Sequence, residues 1–209
     1  MTQQHTMTRP ARLAWTEDPQ AQELIAANST AFVIGFILDQ QVRVQLAFAA
    51  PLALQQRLGH LDPARIAAMA TDDLEQVFRT PTPLHRYPSA MAQRVHACMT
   101  WIVEHHEGNP DSAWLHATTF SELKRRIEQM PGFGAMKAHT VATVLVHQFQ
   151  LNVSDADIEF PPYGSLALVN SLDDLTAYQQ RKGVYKKALR GGASPEDAAA
   201  AVAEVASII

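Results

Sequence analysis

The residues whose types and spacing best suit chemistry are Met130-Pro131-Gly132-Phe133-Gly134-Ala135-Met136-Lys137-Ala138, a turn that runs straight into a helix. Two glycines separated by one apolar residue let the backbone turn tightly and bare its N–H groups at a helix start. Free N–H groups and the positive helix end both favour an anion, so the run suits a phosphate. A Gly-x-Gly between helices also makes an ordinary turn. The Pro-Gly-apolar-Gly order, with apolar Met130 in front and Ala138 four residues past Gly134, favours the phosphate reading. Cations lie near it in sequence: Lys124, Arg125, Arg126 and Lys137, offset in part by Glu122 and Glu128. Between Thr176 and Arg190 come Arg181, Lys182, Lys186, Lys187 and Arg190 with no acidic residue. The formal net charge of −4 weighs against a nucleic-acid partner, whose usual footprint is basic, but these local clusters permit phosphate contact. The nine histidines do not show metal-site spacing. His105 and His106 are adjacent on a helix, and His139 and His147 are too far apart to form a ligand pair, so no catalytic metal is expected.

The elements that must position these residues are helices. Alanine is abundant, β-branched runs are short and strand-like alternation is nearly absent, so the expected class is all-α. With 47% hydrophobic and 18% charged residues over 209 positions, the composition is that of a folded globular protein with a sizeable core. The single cysteine, Cys98, leaves no internal disulfide and no four-cysteine zinc or iron–sulfur site. No signal peptide and no apolar run of membrane-spanning length is visible, so a cytoplasmic protein without membrane contact is expected.

Local signals place the helices. Residues 1–17 read as a polar, frayed start. Asp18-Pro19 opens a helix to Ala27, Asn28 to Thr30 punctuate, and helices are expected over Ala31–Asp39 and Arg43–Leu58, the latter ending at Gly59. Asp62-Pro63, Thr71 and Ser89 read as N-caps of helices reaching Met69, Phe78 and His106, with a proline loop over Thr80–Pro88. A short helix over Ala113–Ala117 precedes a capping box, Thr119-Phe120-Ser121-Glu122, that opens a helix to Gln129. Helical spacing resumes over Lys137–Phe149. Leu151–Gly164 reads as a loop, Asp173–Leu189 as a helix, and Pro195–Ile208 as a final alanine-rich helix.

A helix, a glycine hairpin and a second helix resemble a helix-hairpin-helix DNA-backbone clamp. With Phe36-Ile37-Leu38-Asp39-Gln40-Gln41-Val42 early and Ser89-Ala90-Met91-Ala92 in the middle, the chain over Ala31–Asp157 resembles the helix-hairpin-helix base-excision DNA glycosylases, in particular the endonuclease III and 3-methyladenine glycosylase branches. The resemblance implies two all-α lobes with a substrate cleft between them. One is a helical barrel over residues 31–133; the other joins residues 1–30 to 134–209.

It also implies roles. Gly132, Gly134 and Lys137 would hold the DNA backbone, and Gln41, with Gln40 beside it, would fill the duplex gap left by a flipped base. The family's essential aspartate lies about twenty residues past the start of the hairpin helix; Asp155 matches best and Asp157 is the alternative. Both also read as ordinary loop residues. Lyases of the family carry a nucleophilic lysine where this chain has Met136, and Lys137 is turned by about 100° from that position. A monofunctional enzyme acting on an alkylated base is therefore expected, with a non-catalytic DNA-binding module or a protein-interaction domain as rival readings. The implied partner is double-stranded DNA bearing a damaged base, met by a monomer. No cofactor is expected beyond a monovalent cation on the hairpin carbonyls of Pro131 to Gly134, and the iron–sulfur cluster of many relatives is ruled out by the single cysteine. Trp15, Phe36, Trp101 and Trp114 are candidate stacking aromatics, each also a candidate core residue.

Overall fold

The computed structural model describes residues 6–206, and among these the fold is all-α. Ten helices follow one another: α1 (Pro19–Ala27), α2 (Ser29–Leu38), α3 (Val44–Leu58), α4 (Pro63–Ala67), α5 (Thr71–Arg79), α6 (Pro88–His106), α7 (Phe120–Glu128), α8 (Ala135–His147), α9 (Leu172–Arg190) and α10 (Pro195–Ala206). Residues 207–209, into which the last helix was expected to run, lie outside the described part. Two short 3-10 turns, Pro110–Ala113 and Leu166–Leu168, complete the list; the short helix expected over 113–117 does not form, the first turn ending where it would begin.

Most boundaries follow local chemistry. The Asp18 carboxylate accepts from Gln20 N–H and Ala21 N–H while Pro19 presets the first turn of α1. Asn28 both ends α1 and caps α2, accepting from Ala31 N–H. Gly59 closes α3 in the left-handed region, φ +75°. Thr119 caps α7 by accepting from Glu122 N–H at 3.0 Å, but Glu122 does not close the box on Thr119; it reaches one residue further back and accepts from Thr118 N–H at 2.9 Å. Two expected caps are not used. Ser89 lies inside α6 and its hydroxyl accepts from Arg79 instead; Thr71 is the first residue of α5, whose cap position is Ala70.

Helix α2 is the axis of the fold, with all ten residues buried. Its aromatic side chains meet Trp15 and Phe48, and Phe32 meets Trp114 and Phe149, with ring centres 5.1–6.3 Å apart. Helix α3 crosses so closely at Gly35 that a Cβ there would sit 2.4 Å from Phe48 Cδ1. The expected frayed start lies outside the described residues over 1–5, and residues 13–16 of it are part of this core rather than frayed. Leu13 and Trp15 are fully buried, and Arg9 ties the segment down by donating to Asp111 and to Ser29 Oγ, each at 2.6 Å. The indole of Trp15 supplies the reason, since it fills the space between α2 and α3.

Helix α1 packs on α2 and α3, across the boundary expected near residue 30. Helices α4 and α5 pack on α6, α7 on α8, and α9 on α10. One continuous cluster of buried apolar side chains runs from Leu13 to Tyr178. After α8 the chain returns to the start of α7 through a single parallel bridge, Thr119 with Ser154. Among the described residues no single helix is long and apolar enough to cross a membrane; α1 and α2 together pass by length and composition, but a 113° bend separates them.

Candidate functional site

A cleft of about 600 Å³ opens where the end of α2, the start of α8, the segment around residues 160–166 and one face of α9 meet. The glycine hairpin forms its rim. Met130 and Phe133 are buried anchors, Phe133 N–H donates to Met130 carbonyl at 3.0 Å, and Gly132 takes φ +91°, a conformation costly for any side-chain-bearing residue. Gly134 caps α8 without a side-chain partner, so the first turn of that 13-residue helix presents bare N–H groups beside the cleft. The carbonyls of Pro131, Gly132 and Phe133 accept no backbone hydrogen bond among the described residues, which suits the expected cation, whereas that of Gly134 is taken by Ala138 N–H at 2.9 Å.

Met136 stands at the mouth, 82% exposed. Lys137 turns inward instead: its ammonium donates to Phe36 carbonyl at 2.6 Å and lies 5.5 Å from the Phe133 ring centre. It is committed to the cleft wall rather than to the outer face of the hairpin. Burial lowers its pKa from 10.5 to about 8, with Asp39 pulling the other way.

Asp39 follows the last residue of α2 and also lines the cleft. Burial pushes its carboxyl above the ordinary 3.8, against the pull of Lys182, Lys137 and Lys186. Facing it, α9 contributes Tyr178, Lys182, Tyr185 and Lys186. Lys182 donates to Tyr178 hydroxyl at 2.7 Å, and burial lowers the Lys186 ammonium from its usual range and raises the Tyr178 phenol. A turn closed by Gly164 N–H donating to Pro161 carbonyl, 2.7 Å, brings Tyr163 to 5.2 Å from Tyr185, ring centre to ring centre. The cleft thus combines flat aromatic walls, three ammonium groups and one carboxylate.

The residues singled out from sequence fall in different places. Gly134 and Lys137 line the cleft, as does Phe36; Gly132 sits exposed in the turn behind. Gln40 is held by its own loop, donating to Ile37 carbonyl at 2.7 Å and accepting from Arg94, whereas Gln41 is exposed with φ +57°. Asp155 (φ +56°) and Asp157 are exposed on the segment leaving the Thr119–Ser154 bridge and do not line the cleft. Trp15 and Trp114 are core, and Trp101 stacks on His105 with ring centres 4.8 Å apart. Among the described residues no group of three or more His, Cys, Asp or Glu is arranged to hold a metal ion.

Sequence reading missed the cleft's carboxylate and its aromatic wall. A signal existed for the wall: Tyr178, Lys182, Tyr185, Lys186 and Leu189 recur at i, i+4, i+7, i+8 and i+11, one face of a helix. Asp39 is the acidic residue that ends an otherwise apolar stretch in the Leu38-Asp39-Gln40-Gln41 element. Compared with family models, curated proteins and solved structures, the chain matches none.

Proposed function

We propose that this protein is a monofunctional DNA glycosylase of base-excision type, which binds duplex DNA through its glycine hairpin and takes a flipped, damaged base into the cleft. The observation that carries the reading is that one stretch, Gly134–Thr140, is both the bare helix start of the hairpin and a wall of the aromatic, lysine-bearing cleft. A phosphate held at the hairpin would bring the adjoining nucleotide to the cleft mouth, where Tyr163, Tyr178 and Tyr185 offer faces for a base and Lys182 and Lys186 offer charge to flanking phosphates. In this reading residues 31–133 and the remainder act as the two lobes of a glycosylase fold, Gln41 enters the duplex gap, and the hairpin carbonyls seat a monovalent cation. Met136, at the position of a lyase's lysine, leaves strand cleavage out of the activity.

The test is incubation with duplexes carrying single alkylated purines, uracil, hypoxanthine or oxidised bases, followed by hot alkali. Strand breaks at one lesion class, appearing only after alkali, are expected; no breaks with any lesion refute base release. A second reading, a clamp that binds DNA without releasing bases, is favoured by the exposed placement of Asp155 and Asp157. Salt-dependent duplex binding with no base release would select it.

A further inference from the structure

Resting on the base-excision reading, we infer that Asp39 is the catalytic carboxylate, facing the sugar of the flipped nucleotide from the end of α2. Of the residues lining the cleft it alone carries a carboxylate. Among the described residues that carboxylate has no hydrogen-bond donor and no ion pair within 4 Å, although Lys137, Lys182 and Lys186 all act on it through space. Two of those ammonium groups are drawn elsewhere, Lys137 to Phe36 carbonyl and Lys182 to Tyr178 hydroxyl. The negative charge is therefore held partly desolvated, with no counter-charge in contact and with burial outweighing the attraction of the three lysines, beside a cavity large enough for a nucleoside.

A structural role does not account for it. The C-terminal end of a helix carries partial negative charge, so an acidic residue there is repelled, and a desolvated carboxylate without a donor adds to the cost. The position is also rigid. Asp39 N–H donates to Gly35 carbonyl at 3.0 Å, at the end of a helix whose ten residues are all buried. A fixed charge that costs stability and lines a cleft is the arrangement expected of a group kept for chemistry.

The step it serves is hydrolysis of the N-glycosidic bond. The C1′–N bond breaks with its electron pair passing to the base nitrogen, and positive charge develops on the sugar, where the carboxylate stabilises it. A water oxygen then bonds to C1′; its proton passes to Asp39 and on to solvent, while the departing base takes a proton from solvent. Lys182 and Lys186 stand on the opposite wall, where they would meet phosphates rather than the developing cation.

The test compares wild type, Asp39→Asn and Asp155→Asn in three measurements. These are single-turnover base release from the lesion duplex that wild type cuts, affinity for a duplex with a neutral tetrahydrofuran abasic site against one with a protonated pyrrolidine in its place, and thermal stability. Asp39→Asn is expected to lower base release at least 100-fold, to abolish a tenfold or greater wild-type preference for the pyrrolidine duplex, and to melt no lower than wild type. Asp155→Asn is expected to match wild type in all three. Base release within threefold of wild type in Asp39→Asn, or loss of activity together with a lowered melting temperature and lost affinity for both duplexes, overturns the role of Asp39 while leaving the base-excision reading standing. Wild type that releases no base from any lesion duplex overturns the reading, and the role with it, whether or not it binds the abasic duplexes.

Discussion

Replacing Lys137 with methionine removes a largely buried ammonium while keeping an unbranched chain, and the effect on stability is expected to depend on pH. In the folded protein the ammonium titrates at about 8, against 10.5 in an open chain, because burial outweighs the attraction of Asp39. Between those values the unfolded chain holds the proton more tightly, so wild-type stability rises with pH there. The contribution is fully present above 10.5 and is lost as pH falls through about 8. The full difference amounts to about 3 kcal/mol, of which about 2.5 kcal/mol falls between pH 7 and pH 10. The methionine variant lacks this term, but it also leaves the Phe36 carbonyl without its donor, at a cost of about 1–3 kcal/mol. The two effects oppose each other at pH 7, so the slope rather than the offset carries the test. Urea unfolding of both proteins followed by circular dichroism at pH 7, 8, 9 and 10 measures it. Wild type is expected to gain about 2.5 kcal/mol on Lys137→Met across that range. A difference that stays flat within about 0.5 kcal/mol refutes the buried-ammonium account.

Gly35→Ala places a methyl 2.4 Å from Phe48 Cδ1, both within the packed core, and is expected to cost about 1–3 kcal/mol by overpacking, read by urea unfolding. Glu122 is held near a pKa of about 2, first by Thr118 N–H and then by Arg126; its stabilisation is present above 4.5 and lost as pH falls through about 2. Glu122→Gln should therefore melt lower than wild type at pH 7, with the gap closing toward pH 2 in a melting series. If α9 contacts phosphates, Lys186→Met should reduce the slope of log affinity against log salt for duplex binding by about 1, while a neutral tetrahydrofuran site and an intact duplex are affected alike; an unchanged slope removes Lys186 from the DNA-facing surface.

How much was legible in the chain differs between its helices and its cleft. Asp18-Pro19, Asn28, Gly59 and Thr119 announce helix ends because a cap is a hydrogen bond or a φ preference acting over at most four residues. The hairpin was legible on the same grounds, since Gly132 needs its positive φ wherever the rest of the chain goes. Ser89 and Thr71 show the limit of such signals: a hydroxyl caps a helix only from the residue just before its first turn, and here α6 and α5 have already begun, with Ser89 accepting from Arg79 instead.

By itself the sequence determined that the protein is helical, where most helices begin and end, and that a glycine turn bares the start of α8. Only the tertiary structure decided what that turn faces. Phe36 and Lys137 are 101 residues apart in the chain yet share a hydrogen bond, and Asp39 stands among lysines from two other helices. Packing buried Trp15 and Trp114 and left Asp155 exposed. Desolvation and through-space charge depend on which distant elements close over a residue, and no spacing along one chain carries that information. Helix ends are local bargains of backbone and side chain; a carboxylate held bare in a cleft is made by four segments at once.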